Sequence, residues 1–132
     1  MDNAVKSIIS GFIGIMGFLI GDFDGLFKAL LVLIIADYIT GVIVAVVHKK
    51  LSSEVGAKGI AKKVLMLIIV AVANVLDVQI IGGGSGLRNI TIIFYAANEI
   101  ISLLENTGKL GVSYPPKLLE ILEQLKNDDK DK

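Results

Sequence analysis

Six polar residues sit inside otherwise apolar stretches: Asp37, Thr40, Asn74, Asp77, Asn98 and Glu99. An acid at the centre of a membrane helix costs about 2.5–3.5 kcal/mol on insertion scales. Residues of this kind mark ion or proton pathways, water-filled cavities, or hydrogen bonds between helices. At the helical period they fall on faces. Asp37 aligns with Thr40, Gly41 and His48; Asp77 with Asn74, Ala71 and Lys63; Glu99 with Ser102, Tyr95, Thr91 and Arg88. Two uses stay open for these faces. They accept hydrogen bonds from neighbouring helices, or they line a polar interior or an assembled, water-filled lumen.

Other chemistries are excluded or weak. With no Cys and a single His, thiol nucleophiles, disulfides and transition-metal clusters have no ligands, and no catalytic, cofactor-binding or metal site is expected. The formal net charge is zero, which leaves no basic surplus for nucleic acid. Gly82-Gly83-Gly84-Ser85-Gly86 lacks the Lys and Ser/Thr of a phosphate loop and reads as a flexible connector. Asn89-Ile90-Thr91 matches a glycosylation sequon but begins a span. His48 has no catalytic company and reads as an interfacial residue.

A second pattern is steric. Gly11, Gly14, Gly17 and Gly21, with Ser7 and Ser10, form a stripe of small residues along one helical face. In lipid such stripes let helix backbones approach closely. The partner is either a helix of the same chain or a second copy, and the sequence does not divide the two.

The elements that carry these residues follow from length and charge. The hydrophobic fraction is 54% before the 14 glycines are counted, against about 45–50% with Gly included in soluble domains. Of 13 basic and 13 acidic residues, only Asp37, Asp77 and Glu99 fall within Ser7–Gly21, Ala29–Val47, Val64–Ile81 and Asn89–Leu104. A soluble helix keeps a polar face; a bilayer-spanning one does not need it. Crossing a hydrocarbon core takes about 20 residues. The candidate spans are 4–21, with Lys6 snorkelling, 26–47, with Lys28 snorkelling, 64–81 and 87–104. The expectation is an all-α integral membrane protein with three to four transmembrane helices. The first apolar stretch has no basic leader and no clear cleavage site, and reads as retained.

Twelve Leu, Ile, Phe or Val residues in each of Ala29–Val47 and Val64–Ile81 favour insertion by about 4–7 kcal/mol, enough to carry one acid. Asn89–Leu104 has eight, worth about 2–5 kcal/mol, against Glu99 and Asn98, so that segment needs partners. Lys49, Lys50, Lys58, Lys62 and Lys63 crowd the link between the second and third spans, and five more lysines follow Leu104. The positive-inside rule places that link and the C-terminus in the cytoplasm. Residues 1–104 form the bundle. Residues 105–132 form a cytoplasmic tail with a short amphipathic helix at 117–126, lying on the membrane or on a neighbouring copy, and a charged disordered end.

Several ordered blocks carry a resemblance. They are Asp37-Tyr38-Ile39-Thr40-Gly41, the basic run Lys49–Gly56 with Lys58–Lys63, and Phe94-Tyr95-Ala96-Ala97-Asn98-Glu99 followed by Leu104-Glu105-Asn106. Pro116-Lys117-Leu118-Leu119 through Leu125-Lys126 continues it. Over roughly Asp24–Lys126 the chain resembles the phage lysis and toxin-secretion holins of Gram-positive bacteria and their phages. The resemblance implies a non-enzymatic protein of the bacterial cytoplasmic membrane that forms homo-oligomers. These open lesions that collapse the membrane potential and release endolysin or toxin. No catalytic residue is implied. The alternative is a small proton-coupled exporter, disfavoured by an uncharged first span and the absence of Trp. A passive membrane anchor leaves three intramembrane acids without a use.

Overall fold

The computed structural model describes residues 2–130. Four long helices and one shorter helix make up the fold, with no strand among the described residues. The first helix, α1, is Asn3–Ile20, started by the Asp2 carboxylate and closed at Gly21, whose φ is 87°. In α2, Gly25–Val47, Asp24 Oδ1 caps the Phe27 N–H at 2.9 Å. Ser52 Oγ does the same for Val55 at 3.1 Å and opens α3, Ser53–Val75. α3 runs on through a π-helical segment, Leu76–Ile81, to a left-handed Gly82. α4 is Gly86–Gly108 and α5 is Pro116–Lys130, with proline at a helix start where its missing N–H costs nothing.

Helices α1 and α2, α3 together with its π-helical segment, and α4 are each long and apolar enough to cross a membrane. Three boundaries match the apolar runs closely. The third does not: the helix starts at Ser53 rather than 64, because a Ser cap and polar first turns are helical without being apolar. The last helix is also longer than 117–126, its backbone continuing through Asn127–Lys130 where a disordered end is expected; Asp131 and Lys132 lie outside the described residues.

α2 and α3 both pack on α4, and α1 packs along α3. Phe27, Leu30 and Ile34 of α2, Val70 of α3 and Ile92 of α4 form the core between the three inner helices. α5 docks on the opposite side of α4, where Leu122 is buried against Ala97 and Leu104. That contact places the amphipathic helix on its own chain. α1 is the outlier. None of its residues is buried, and Ile8, Phe12, Ile13, Ile15 and Phe18 are exposed.

Candidate functional site

One face of α4 carries Arg88, Glu99 and Asn106, and each ties a different part of the bundle to it. Towards the basic end, Lys63 of α3 reaches between α2 and α4. Its Nζ lies 2.7 Å from Asp37 Oδ2 and 2.6 Å from Glu99 Oε2. Asn106 Nδ2 donates to Asp37 Oδ1 at 2.9 Å and lies 3.0 Å from Thr40 Oγ1. The Thr40 hydroxyl in turn donates to the Ala36 carbonyl at 2.9 Å. Asp37 and Glu99 are buried. One ammonium therefore serves two carboxylates from two other helices, and the fully ionised trio carries one net negative charge. Such a group is stable in low dielectric only while every partner stays in place.

The depth of this network follows from chain geometry. Asp37 lies ten residues before the end of α2, Lys63 ten residues into α3 and Glu99 nine before the end of α4. At 1.5 Å per residue all three stand about 15 Å from that end. Antiparallel neighbours bring them level.

At the other end Arg88 is the organiser. Its side chain is 3% exposed. Nε donates to the Ile20 carbonyl and Nη2 to the Asp22 carbonyl, both at 2.6 Å; Nη1 lies 3.0 Å from Asp24 Oδ2. A guanidinium here satisfies the Ile20 carbonyl at the end of α1 and the Asp22 carbonyl in the following link, and binds the cap of α2 in one fork. The Arg88 guanidinium beside Asp24, with the Phe27 N–H, holds that carboxyl below the usual carboxylate range. Asn74 adds a second tie, Nδ2 donating to the Phe18 and Leu19 carbonyls at 3.1 Å. Gly21 makes room for it: a Cβ there would lie 2.7 Å from Asn74 Oδ1.

Asp77 is a helix cap. Its Oδ1 accepts from the Leu87 N–H at 3.1 Å and its Oδ2 from the Arg88 N–H at 2.8 Å, satisfying free donors at the start of α4. Its own carbonyl accepts from Gly82 and Gly83, which ties down the start of the glycine connector.

The polar residues expected from sequence thus separate into two groups. Asp37, Thr40 and Glu99 meet at one level; Asn74 and Asp77 work at the opposite end. Asn98 is half-buried and makes no side-chain hydrogen bond among the described residues. Gly11, Gly14 and Gly17 face open space, with nothing within 4 Å of an added Cβ, whereas Gly21 is packed. Lys49, Lys50, Lys58 and Lys62 are exposed. Lys63 is half-buried, because both acids claim it. Sequence reasoning missed the roles of Arg88 and Asn106. Their signal was their register: both lie on the α4 face that carries Glu99.

Four helices long and apolar enough to cross a membrane, held together by two buried polar clusters, define a helical membrane protein. Residues 14–127 match the bacteriophage holin family, and the chain belongs to that family. A protein of Bacillus phage phi105 named a probable holin is 38% identical over 103 residues, covering 78% of this chain and 76% of its own. An uncharacterized protein of Listeria monocytogenes is 43% identical over 122 residues, covering 92% of this chain and 86% of its own. An uncharacterized 14.9 kDa protein of Clostridium perfringens is 39% identical over 130 residues, covering 96% and 98%. No solved structure matches the chain.

Proposed function

We propose that this chain is a holin that assembles with copies of itself in the cytoplasmic membrane and opens lesions through which endolysin or a toxin leaves. The reading rests on family membership, and one observation supports its mechanism. α1 is a membrane-length helix with no buried residue, and its Gly11, Gly14 and Gly17 face open space. A stripe of small residues favours close helix contact in lipid, where association depends on van der Waals fit. Within one chain this stripe has no partner; a second copy supplies one. The basic link and the C-terminus lie in the cytoplasm by the lysine asymmetry, with Gly82–Gly86 outside. The Asp37–Lys63–Glu99 network and the Arg88 fork hold the single chain closed. Lining water requires copies to turn those polar faces toward a shared lumen.

The test is induced expression with simultaneous readouts of membrane potential and entry of a large impermeant dye. Wild type collapses the potential abruptly at a threshold copy number and admits the dye without added substrate. Gly14→Leu and Gly17→Leu insert normally, because Leu favours insertion and nothing lies within 4 Å of a Cβ at either position. They block or delay the lesion, while Ile15→Leu behaves as wild type. Equal lethality of all three variants removes the stripe from the mechanism. Gradual, substrate-dependent resistance to toxic cations without dye entry favours the exporter.

A further inference from the structure

At the basic end of the bundle, the last turns of α2 and α4 and the first turn of α3 border an open crevice of about 560 Å³. Its lining joins His48, Lys50 and Lys109 to Val44, Ala45 and Val55. No carboxylate lines it, and none of the three basic side chains forms an ion pair among the described residues. Lys63 and Arg88, by contrast, are fully engaged. The nearby acids Glu54 and Glu105 are exposed and lie outside the lining.

The backbone is shaped to hold this arrangement. α2 ends with the Lys49 N–H on the Val46 carbonyl at 3.1 Å and the Lys50 N–H on the Ala45 carbonyl at 2.8 Å. This turn needs a left-handed residue after the cap, ordinarily glycine. Here Lys49 takes it with φ 57°, whereas Gly111 takes the matching position after α4 with φ 90°. The strained turn folds Lys50 back over the end of α2. Lys109 also complements the negative end of α4, but that role needs only exposed charge and no pocket.

The pocket also leads somewhere. A second cavity of about 230 Å³ shares Gly41, Ala45, Val55 and Asn106 with it and continues between Val42 and Leu51 towards the Asp37–Lys63 pair. Two lysines without an ion pair among the described residues, His48 beside them, and the Val42 and Leu51 side chains behind match an amphiphile with an anionic head. Basic pockets between the ends of membrane helices are suited to acidic headgroups.

We propose that this crevice binds one anionic phospholipid, with its phosphate among His48, Lys50 and Lys109 and part of an acyl chain along the Val42–Leu51 slot. The site depends on the chain being in a membrane and not on lesion formation, so its test reads binding alone.

The experiment uses the full chain in neutral detergent and native mass spectrometry. Dioleoylphosphatidylglycerol and dioleoylphosphatidylcholine are the lipid probes, and millimolar inorganic phosphate is the headgroup-only arm. One phosphatidylglycerol binds at least about tenfold tighter than phosphatidylcholine. Lys50→Ala/Lys109→Ala loses about tenfold of that affinity, while Lys58→Ala/Lys117→Ala, with the same loss of charge, changes it by no more than about twofold. Lys50→Arg/Lys109→Arg retains binding, which separates lost charge from lost folding. Equal losses in the two alanine pairs, or equal retention of both lipids, overturns the site. Displacement of the bound lipid by phosphate alone overturns its assignment to a lipid.

Discussion

Replacing Lys63 by methionine keeps an unbranched side chain one atom shorter and removes the charge that faces both buried acids. Asp37 and Glu99 are 7% and 6% exposed at the side chain, and Lys63 is 17% exposed. At the 2.7 Å separation of Nζ and Asp37 Oδ2, a unit-charge pair attracts by about 6 kcal/mol at an effective dielectric of about 20. Removing the ions from water takes back much of that, so breaking a buried pair by deleting one partner costs about 3–5 kcal/mol. Lys63→Met should therefore destabilise the bundle by about 3–5 kcal/mol, two to three and a half powers of ten in the unfolding constant. The acids, not the missing lysine, are the source of the loss. Adding Asp37→Asn and Glu99→Gln to Lys63→Met should then restore stability to within about 1 kcal/mol of wild type, since uncharged groups of similar shape lose little on burial. Titration with sodium dodecyl sulfate in mild-detergent micelles, followed by circular dichroism, measures both values. A loss below about 1 kcal/mol for Lys63→Met, or a triple variant as unstable as the single one, refutes the network as the fastener of α2, α3 and α4.

Three further outcomes follow from the same geometry. Single cysteines at Ser53, Ser85 and Ser113 all stand at exposed positions in a chain with no native Cys; on intact cells an impermeant thiol reagent should label Ser85→Cys alone, and labelling of Ser53→Cys without Ser85→Cys inverts the topology. Asp77→Ala should cost about 0.5–2 kcal/mol in the same unfolding assay through loss of the α4 cap. Asp77→Asn should cost less, because Asn caps nearly as well, and with Glu99→Gln it should keep lethality and shift its timing; an amide variant that inserts but abolishes all activity points to proton coupling. Asp24→Asn retains an oxygen for the Phe27 N–H but loses the charge beside Arg88. Because that carboxyl titrates below its ordinary value, its contribution is present at neutral pH and is lost as pH falls through the lowered value. The stability advantage of wild type over Asp24→Asn should hold down to the ordinary carboxylate range, about pH 3.9, and vanish below it. An advantage that survives full acid titration rules out the ion pair as its source.

The number and order of the helices are legible in the order of the residues alone. Apolar runs of membrane length, Asp and Ser at helix starts and glycine at helix ends are local properties, and a helix satisfies its own backbone whatever surrounds it. Hydropathy misplaces the boundaries that caps set: α3 starts at Ser53 because Ser52 can cap it, though its first turns are polar.

Partnership belongs to the tertiary structure alone. Lys63 reads in sequence as the last of five topology-setting lysines, and Arg88 as a charge flanking a span. What makes each an organiser is the rotation and vertical register of three helices, which place one ammonium between Asp37 and Glu99 and one guanidinium under the end of α1. Asp77 shows the same limit. Its helical face leaves open a lumen acid or a hydrogen-bond acceptor for a neighbouring helix; the π-helical segment ends at Gly82 with Asp77 beside the free N–H groups of Leu87 and Arg88. A bilayer penalises every buried charge in proportion to depth, which the sequence records. Which neighbour relieves the penalty depends on distances of about 3 Å between segments far apart in the chain, and only packing sets those.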